Sequence, residues 1–307
     1  MARNWTLVRR QGALRARANI LQALRVFFLH GGYVEVETPY RIPSPAPESH
    51  IDAVPSGPWY LHTSPELCMK RLLAAGYEKI FQICRCWREG ERGSQHTPEF
   101  TLLEWYRANS DYLRLMEECE ALIPHVASAL GLGETLHYRG QRIKLSPPWE
   151  RISVDDAFQR YAHIPMKEAL AKHCFDEVMV EKIEPRLGRS KPAFLYDYPV
   201  ERAALARLKK EDPSLAERFE LYIGGLELAN AFSELIDAEE QRKRFLSEQA
   251  NRRSLSKPSY PLPEKLLKEL ETMPPAAGIA LGVDRLVMVM LDVHTIDEVI
   301  AFTPEEL

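Results

Sequence analysis

The sequence predicts an α+β fold in which helices flank an antiparallel sheet. Segments with the period of strands and segments with the period of helices are mixed along the 307 residues, without the regular alternation of βαβ units. Two strand-like segments, 80–87 and 100–106, flank a polar loop that contains glycine, which is the pattern of a long hairpin. Hairpins join antiparallel strands, whereas parallel strands need a crossover connection. The sheet is therefore expected to be antiparallel.

The other elements follow from hydrophobic periodicity and from turn residues. An amphipathic stripe predicts a first helix over 13–30, and a composition rich in proline and serine predicts a loop over 41–58. Further helices are predicted at 65–75, 110–130, 238–253, 262–271 and 282–291, and further strands at 33–36, 59–62, 136–145 (a second hairpin), 193–198 and 218–223. We expect one domain over 1–307, with a helical insertion around 150–190.

Composition excludes several classes of protein. The net charge of −4 argues against a general nucleic-acid-binding protein, since such proteins carry a basic excess. No apolar stretch approaches the roughly 20 residues of a membrane-spanning helix, so no membrane partner is expected. Five cysteines without a CxxC pair argue against a disulfide framework and a structural zinc site, and favour the cytoplasm. Cys84 and Cys86 would share one face of a strand, where we interpret both as small buried hydrophobes.

Common nucleotide-binding and catalytic motifs are absent from the sequence. It contains no GxxxxGK[ST] loop, no GxGxxG fingerprint, no GxSxG elbow and no HExxH spacing. A nucleotide site would therefore have to be built from side chains on a sheet rather than from a glycine-rich loop. Three segments could supply such side chains, namely 32–39, 87–101 and 278–286.

Each of these segments also has a plain structural explanation. Segment 32–39 links a helix to a short strand and, taken alone, is scaffold. Segment 87–101 places two arginines and a histidine on a loop that suits a phosphate, although charged hairpin tips are usually only solvated. In segment 278–286, small residues lead into an apolar helix that carries Asp284 and Arg285. Asp284 would hold Arg285 for an anion at the helix N-terminus, or the two would form an internal salt bridge.

In this order, the three segments resemble motifs 1, 2 and 3 of the class II aminoacyl-tRNA synthetases. The phrases HTPEFTLLEWY (96–106), GLELANAFSEL (225–235) and GIALGVDRLVM (278–288) are similar to the lysyl branch of that class. The resemblance covers nearly the whole chain. It implies a class II synthetase-like antiparallel sheet flanked by helices, and a homodimer, because motif 1 builds the dimer interface in this class.

About a dozen residues precede the first predicted helix, which is too few for the anticodon-binding barrel of a lysyl-tRNA synthetase. The chain is thus similar to the truncated lysyl paralogues that attach a lysine-type amino acid to elongation factor P. The sequence His62-Thr63-Ser64-Pro65-Glu66 and Ala280 match that subfamily. The resemblance implies that ATP activates lysine, or (R)-β-lysine as Ala280 suggests, as an adenylate. The acceptor would be the ε-amino group of a lysine of elongation factor P, and tRNA is not expected as a partner.

The resemblance also implies a role for each matching residue. Arg88 would contact the α-phosphate of ATP and Arg285 the γ-phosphate, as the catalytic pair. The ATP site would further include Glu89, Gly90, Glu91, Thr97, Phe100, Glu227, Leu228 and Gly282. The lysine substrate would be bound by Ser64, Pro65, Glu66, Tyr106, Asn230, Glu234 and Ala280. Glu227 and Glu234 would bind Mg²⁺.

Two departures from the family pattern concern the ATP site. Gly90 stands where the family has glutamate, and Thr97 stands where it has an amide. Glu89 or Glu91 would therefore have to supply the missing carboxylate.

The segment 226–236 can be interpreted in two ways. Its apolar residues fit a helical stripe, but the family has a strand there, and we predict a strand. On a regular strand Glu227 would point away from Asn230 and Glu234, so a bulge would be needed to bring it to their face.

Two other functions stay open at the level of sequence. The first is an aminoacyl-tRNA synthetase, or an enzyme that releases a free adenylate, and it predicts charging of tRNA with lysine. The second is a non-catalytic regulatory paralogue, which Gly90 supports, and it predicts no ATP–pyrophosphate exchange.

Overall fold

The computed structural model describes residues 5–307. The strands are β1 (Val34–Glu35), β2 (Arg41–Ile42), β3 (Pro55–Ser56), β4 (Trp59–Leu61), β5 (Lys79–Trp87), β6 (Glu99–Ala108), β7 (Thr135–Tyr138), β8 (Gln141–Lys144), β9 (Glu150–Ser153), β10 (Ala193–Pro199), β11 (Leu215–Ile223), β12 (Leu226–Ser233) and β13 (Ala276–Gly282). The α-helices are α1 (Trp5–His30), α2 (Glu66–Ala74), α3 (Tyr112–Ala129), α4 (Val154–Ala157), α5 (Met166–Ala171), α6 (Phe175–Val178), α7 (Ala238–Ser254), α8 (Glu264–Glu269) and α9 (Val283–Leu291). Short 3₁₀ or π turns cover Phe158–Ala162, Met179–Ile183, Glu184–Arg186, Val200–Arg202, Leu270–Thr272, Ile296–Glu298 and Pro304–Glu306.

Eight strands form one large sheet in the order β1-β5-β6-β13-β12-β11-β10-β9. The inner pairs are antiparallel, and the two edge pairs, β1/β5 and β9/β10, are parallel. Parallel neighbours need a crossover, and α2 precedes β5 while α4, α5 and α6 lie between β9 and β10. The prediction of an α+β fold with a sheet flanked by helices is confirmed, although the sheet is mixed. Within residues 5–307 none of the sheets closes into a barrel.

One face of the large sheet is covered by α1, α3 and α9. There the ring of Phe28 packs against Phe81 and Trp105, with centroids 4.9 and 5.0 Å apart, and all three side chains are fully buried. Each such burial contributes about 1.5–3 kcal/mol. Because side chains alternate along a strand, burying Trp105 here sends Glu104 and Tyr106 to the opposite face. Polar residues therefore collect on the face that these helices leave free.

The opposite face has a hydrophobic cluster at each end. Residues of α2 and α8 form one cluster with β6 and β12, and residues of α4, α5 and α6 form the other with β10. The second cluster lies where the sequence predicts a helical insertion around 150–190. The division into one domain with an insertion stays a prediction.

The sequence-based elements differ from the structure in a few places. The predicted helix 13–30 ends correctly, but α1 begins at Trp5, because the exposed Gly12 costs a helix only about 1 kcal/mol and has open space around it. The predicted loop 41–58 contains β2 and β3, which pair with β4. The strand predicted in 226–236 is confirmed as β12. None of the helices in the described part of the chain is long and apolar enough to cross a bilayer.

Candidate active site

A cleft of about 370 Å³ opens on the polar face of the large sheet. Most of the predicted site residues line it, namely Ser64, Glu66, Arg88, Glu91, Thr97, Phe100, Tyr106, Glu227, Leu228, Asn230, Ala280, Gly282 and Arg285. Four others do not line it. Pro65 is buried just before α2, Glu89 and Gly90 are exposed on the β5–β6 loop, and Glu234 is buried after the end of β12.

A β-bulge in β12 brings Glu227 into the cleft. Leu228 has no partner in β11, whereas its neighbours Glu227 and Ala229 pair with consecutive residues of that strand. The bulge interrupts the alternation of side chains once, so Glu227 lies on the same face as Asn230. The bulge is the one that the sequence analysis required if a strand at 226–236 was to place both residues in one site.

Two arginines occupy one end of the cleft. The guanidinium of Arg88 lies over the ring of Phe100, 5.0 Å from its centroid, and its Nε is buried without a hydrogen-bond partner. Nη1 of Arg285 donates to the backbone oxygen of Glu227 at 2.9 Å and to its carboxylate at 3.1 Å, and Nη2 lies 2.6 Å from Nε2 of His96. Burial and the charge of Arg285 lower the pKa of His96, so its neutral ring accepts this hydrogen bond. An unpaired buried donor costs about 1–3 kcal/mol, which an oxyanion bound to Arg88 would recover.

Asp284 does not hold Arg285, which corrects the sequence-based interpretation. Its carboxylate pairs with Arg17 at 2.6 Å and accepts the backbone N–H of Thr101 at 2.7 Å. Consecutive residues of a helix point about 100° apart, so the two side chains diverge. Asp284 therefore ties α1 and β6 to the start of α9, while Glu227 orients Arg285.

Three carboxylates, those of Glu184, Glu220 and Glu227, gather near the arginine end. Glu220 and Glu227 lie on neighbouring strands, β11 and β12. Glu227 pairs with Tyr222, which lies two residues after Glu220 and therefore on the same face of the sheet, so the two carboxylates share that face. Burial, followed by the charges of Glu220 and Glu227, raises the pKa of Glu184 to about 7. Burial and the charge of Glu227 likewise raise the pKa of Glu220, which Arg218 contacts at 2.7 Å. Carboxylate oxygens are the ligands that a hard divalent cation prefers.

The structure does not bring the two predicted Mg²⁺ ligands, Glu227 and Glu234, together. The two residues lie at opposite ends of β12, about 20 Å apart at a rise of about 3.3 Å per residue. Glu234 contacts the ammonium group of Lys70 at 2.6 Å instead. In the structure it is Glu220 that lies beside Glu227.

The other end of the cleft is acidic. Glu66 lines it, and beside it lies Glu104, whose side chain is only 1% exposed. The carboxylate of Glu104 accepts hydrogen bonds from the Ser64 hydroxyl at 2.6 Å and from the Tyr106 hydroxyl at 2.9 Å. Burial, and then the charge of Glu66, raises the pKa of Glu104 well above its ordinary value. A bound ammonium group would relieve this unfavourable charge.

The ammonium group of Lys70 partly neutralises the negative charge at this end of the cleft. Its ammonium group lies 2.5 Å from Glu66 and 2.6 Å from Glu234, and only 1% of its surface is exposed. Burial alone would lower the pKa of Lys70, but the charges of Glu234 and Glu66 raise it overall. Burial raises the pKa of Glu234, and the charge of Lys70 opposes that rise. Gly278 leaves room for this arrangement, since a Cβ there would lie 2.4 Å from a carboxylate oxygen of Glu234.

The cleft, with arginines at one end and buried carboxylates at the other, lies on the antiparallel strands of the mixed sheet. The model of the family described as tRNA synthetases class II (D, K and N) matches residues 5–306. The chain belongs to this family. Class II synthetase-like ligases use ATP.

Several curated proteins named elongation factor P--(R)-beta-lysine ligase are similar along nearly their whole length. The protein of that name from Pectobacterium carotovorum subsp. carotovorum is 42% identical, with 94% of each chain covered. Those from Pectobacterium atrosepticum and Edwardsiella ictaluri are 41% and 40% identical; the match covers 94% of this chain in both cases, and 94% and 93% of the relatives.

The β5–β6 loop departs from the class II pattern at Gly90, and the structure shows how the loop turns there. Gly90 has a φ of +77°, a left-handed conformation that favours glycine, with open space where a Cβ would be. The turn leaves Glu89 exposed and brings Glu91 into the cleft, 3.9 Å from Arg88. Of the two candidates for the missing carboxylate, Glu91 is therefore the better placed.

Sequence reasoning assigned no role to several residues of the site. Glu104 could have been found, because it lies two residues before Tyr106 on a strand and must share its face. Glu220, Arg218 and Lys70 could not, since their positions depend on the register of β11 with β12 and on the packing of α2.

Proposed function

We propose that this protein activates a lysine-type amino acid, in the first instance (R)-β-lysine, with ATP, and transfers it to the ε-amino group of a lysine of elongation factor P. The observation that carries the proposal is the division of charge within one cleft. A diamino acid has two ammonium groups, which suit Glu66 and Glu104, and one carboxylate, which must meet ATP near Arg88. The names of the similar proteins support elongation factor P as the acceptor.

The reaction has two steps. First, a carboxylate oxygen of the amino acid attacks the α-phosphorus of ATP, and the bond to pyrophosphate breaks. Arg88 stabilises the charge that develops on the α-phosphoryl oxygens, and Arg285 leaves Glu227 to bind the terminal phosphates. Second, the uncharged ε-amino nitrogen of the acceptor attacks the acyl carbon, AMP leaves with the bonding electrons, and the nitrogen loses a proton. The role of the protein in both steps is to position the reactants and to neutralise charge.

The cluster of Glu220 and Glu227 fits Mg²⁺. The raised pKa of Glu220 marks a concentration of negative charge that a cation would relieve. When bound, the ion would supply positive charge to the phosphate oxygens. Arg218 orients the carboxylate of Glu220 through the contact at 2.7 Å.

The proposal is tested by incubating the protein with ATP, Mg²⁺, (R)-β-lysine and unmodified elongation factor P, and by measuring the intact mass of the factor. A parallel reaction contains tRNA. We expect the factor to gain the mass of the lysine residue, and the Arg285→Ala variant to abolish this gain. The matched control is Arg242→Ala, which removes an arginine that pairs with Glu264 on the surface. An unchanged mass together with charged tRNA would refute the proposed acceptor.

We also propose that the protein is a cytoplasmic homodimer. Val26 and Leu29 on α1 and Val34 on β1 are 38%, 54% and 50% exposed, and exposed apolar side chains of this kind suit a contact with a second copy of the chain. All five cysteines are free, which fits a reducing compartment. Sedimentation of the protein as a monomer at micromolar concentration would contradict the dimer.

A further inference from the structure

His62, Cys84 and Cys86 form a buried cluster of three potential metal ligands beside the cleft. His62 follows β4, and the two cysteines lie on β5. Their exposed fractions are 1%, 3% and 0%, and their ligand atoms all lie within 4.8 Å of one another. The prediction that both cysteines are buried is confirmed. The sequence spacing did not indicate that His62 joins the two cysteines, because it lies 24 residues before Cys86.

Two distances within the cluster are close to the edges of a tetrahedral zinc site, and the third is at most 4.8 Å. The two Sγ atoms are 3.9 Å apart, and Sγ of Cys86 lies 3.8 Å from Nε2 of His62. Ideal Zn–S and Zn–N bonds give tetrahedral edges of about 3.8 Å between two sulfurs and about 3.6 Å between sulfur and nitrogen. Residues two apart on a strand have Cα atoms about 6.7 Å apart, so these two thiols lean towards each other rather than standing parallel.

The surroundings of the cluster suit a divalent cation bound by two thiolates. The ion and the two thiolates carry no net charge together, so their burial is not penalised as that of an isolated charge would be. The rings of Tyr40 and Trp87 cover His62, with centroids 5.4 and 6.0 Å away. Leu102 packs against Cys84 and Cys86 in a small hydrophobic cluster.

We propose that His62, Cys84 and Cys86 bind a thiophilic divalent cation of the zinc type, with a solvent molecule as the fourth ligand. This goes beyond the proposed function and does not depend on it. Both thiols lose their protons on binding. To bind the ion, His62 would exchange the hydrogen bond between its Nε2 and the backbone oxygen of Arg85, 2.7 Å away, for a bond to the metal.

A bound ion would join two parts of the cleft. His62 begins the segment that carries Ser64 and Glu66, and its backbone oxygen already accepts the N–H of Trp87 at 3.1 Å. Arg88 follows directly. The ion would thus cross-link the segment that faces the substrate ammonium groups to the strand that leads to the phosphate-binding arginine.

The test uses the full chain, stripped of metal with a chelator and titrated with Co²⁺, which reports its ligands spectroscopically. We expect a thiolate-to-cobalt charge-transfer absorption that saturates at one ion per chain, and the release of two protons. The Cys84→Ser/Cys86→Ser double variant should lose this absorption. The matched control is Cys119→Ser, which removes a fully buried cysteine of α3, and it should keep the absorption.

A second measurement keeps the test valid even where the double variant does not fold. Wild-type protein with and without Zn²⁺ is treated with a thiol reagent, and each cysteine is located by peptide mass spectrometry. Zn²⁺ should protect Cys84 and Cys86 and leave the partly exposed Cys68 and Cys174 unchanged. Absence of the charge-transfer band in folded wild-type protein, or equal labelling of Cys84 and Cys86 with and without Zn²⁺, would overturn the proposal.

Discussion

Replacing Lys70 with methionine would isolate the energetic role of the cation behind the substrate pocket. Methionine keeps the length and the apolar stem of the side chain but removes the ammonium group, which lies 2.5 Å from Glu66 and 2.6 Å from Glu234. Breaking a buried ion pair by removing one partner costs about 3–5 kcal/mol. We therefore expect a loss of about 3 kcal/mol or more in the free energy of unfolding at neutral pH, and a melting temperature lower by about 5 °C or more.

The loss should depend on pH in a defined direction. Without Lys70, burial raises the pKa of Glu234 with no cation to oppose it, whereas the unfolded chain keeps an ordinary carboxyl pKa. A carboxylate with a raised pKa takes up a proton on folding, so the free energy of unfolding falls by about 1.4 kcal/mol per pH unit above the unfolded pKa. In the wild type the pKa of Glu234 is raised to about 8 even with Lys70 present, so the difference between variant and wild type should stay nearly constant up to about pH 8 and grow by about 1.4 kcal/mol per pH unit above it, where only the wild-type carboxyl ionises.

Chemical unfolding of both proteins across this pH range measures the effect. Lys172→Met is the matched control, because Lys172 also pairs with a glutamate four residues earlier, Glu168 at 2.6 Å, but its side chain is 66% exposed. That exposed pair should contribute little to stability, because solvent screens its charges. If Lys70→Met is no more destabilising than Lys172→Met, or if its effect is the same at every pH, the reasoning about buried charge is refuted.

Four further substitutions test the cleft. Glu220→Gln should raise the Mg²⁺ concentration needed for half-maximal ATP–pyrophosphate exchange by about tenfold, because it removes a charged ligand. Glu234→Gln should instead raise the KM of the amino acid and leave the Mg²⁺ requirement unchanged. The reverse pattern would show that Glu234 is the metal ligand. Gly278→Ala should cost about 1–3 kcal/mol and raise the KM of the amino acid, since the added Cβ lies 2.2 Å from the ring of Tyr106, and an unchanged KM would contradict that contact. Mg²⁺ affinity should fall as pH drops below about 7, where Glu184 takes up a proton, and Glu184→Gln should flatten this dependence in a calorimetric titration.

Much of the site was accessible from the sequence because its residues occur in contiguous phrases. Arg88, Phe100 and Tyr106 lie within one hairpin, whose alternation fixes which side chains share a face. From the sequence, Glu227 could be placed in the site only if β12 contained a bulge. A bulge interrupts the alternation of side chains at one residue, and the apolar pattern of 226–236 does not show it. The pairing of Asp284 was misjudged because adjacency in sequence does not mean contact on a helix.

The sequence by itself determined the α+β class, most of the longer elements and part of the residues at the two charged ends of the cleft. These depend on periodicity and on short motifs, which are local properties of the chain. The tertiary structure alone decided which charges meet: Glu227 with Glu220 and Arg285, Lys70 with Glu66 and Glu234, and His62 with the two cysteines. Such contacts depend on strand register and on the packing of separate elements, because electrostatic interactions and metal coordination depend on distances in space rather than along the sequence.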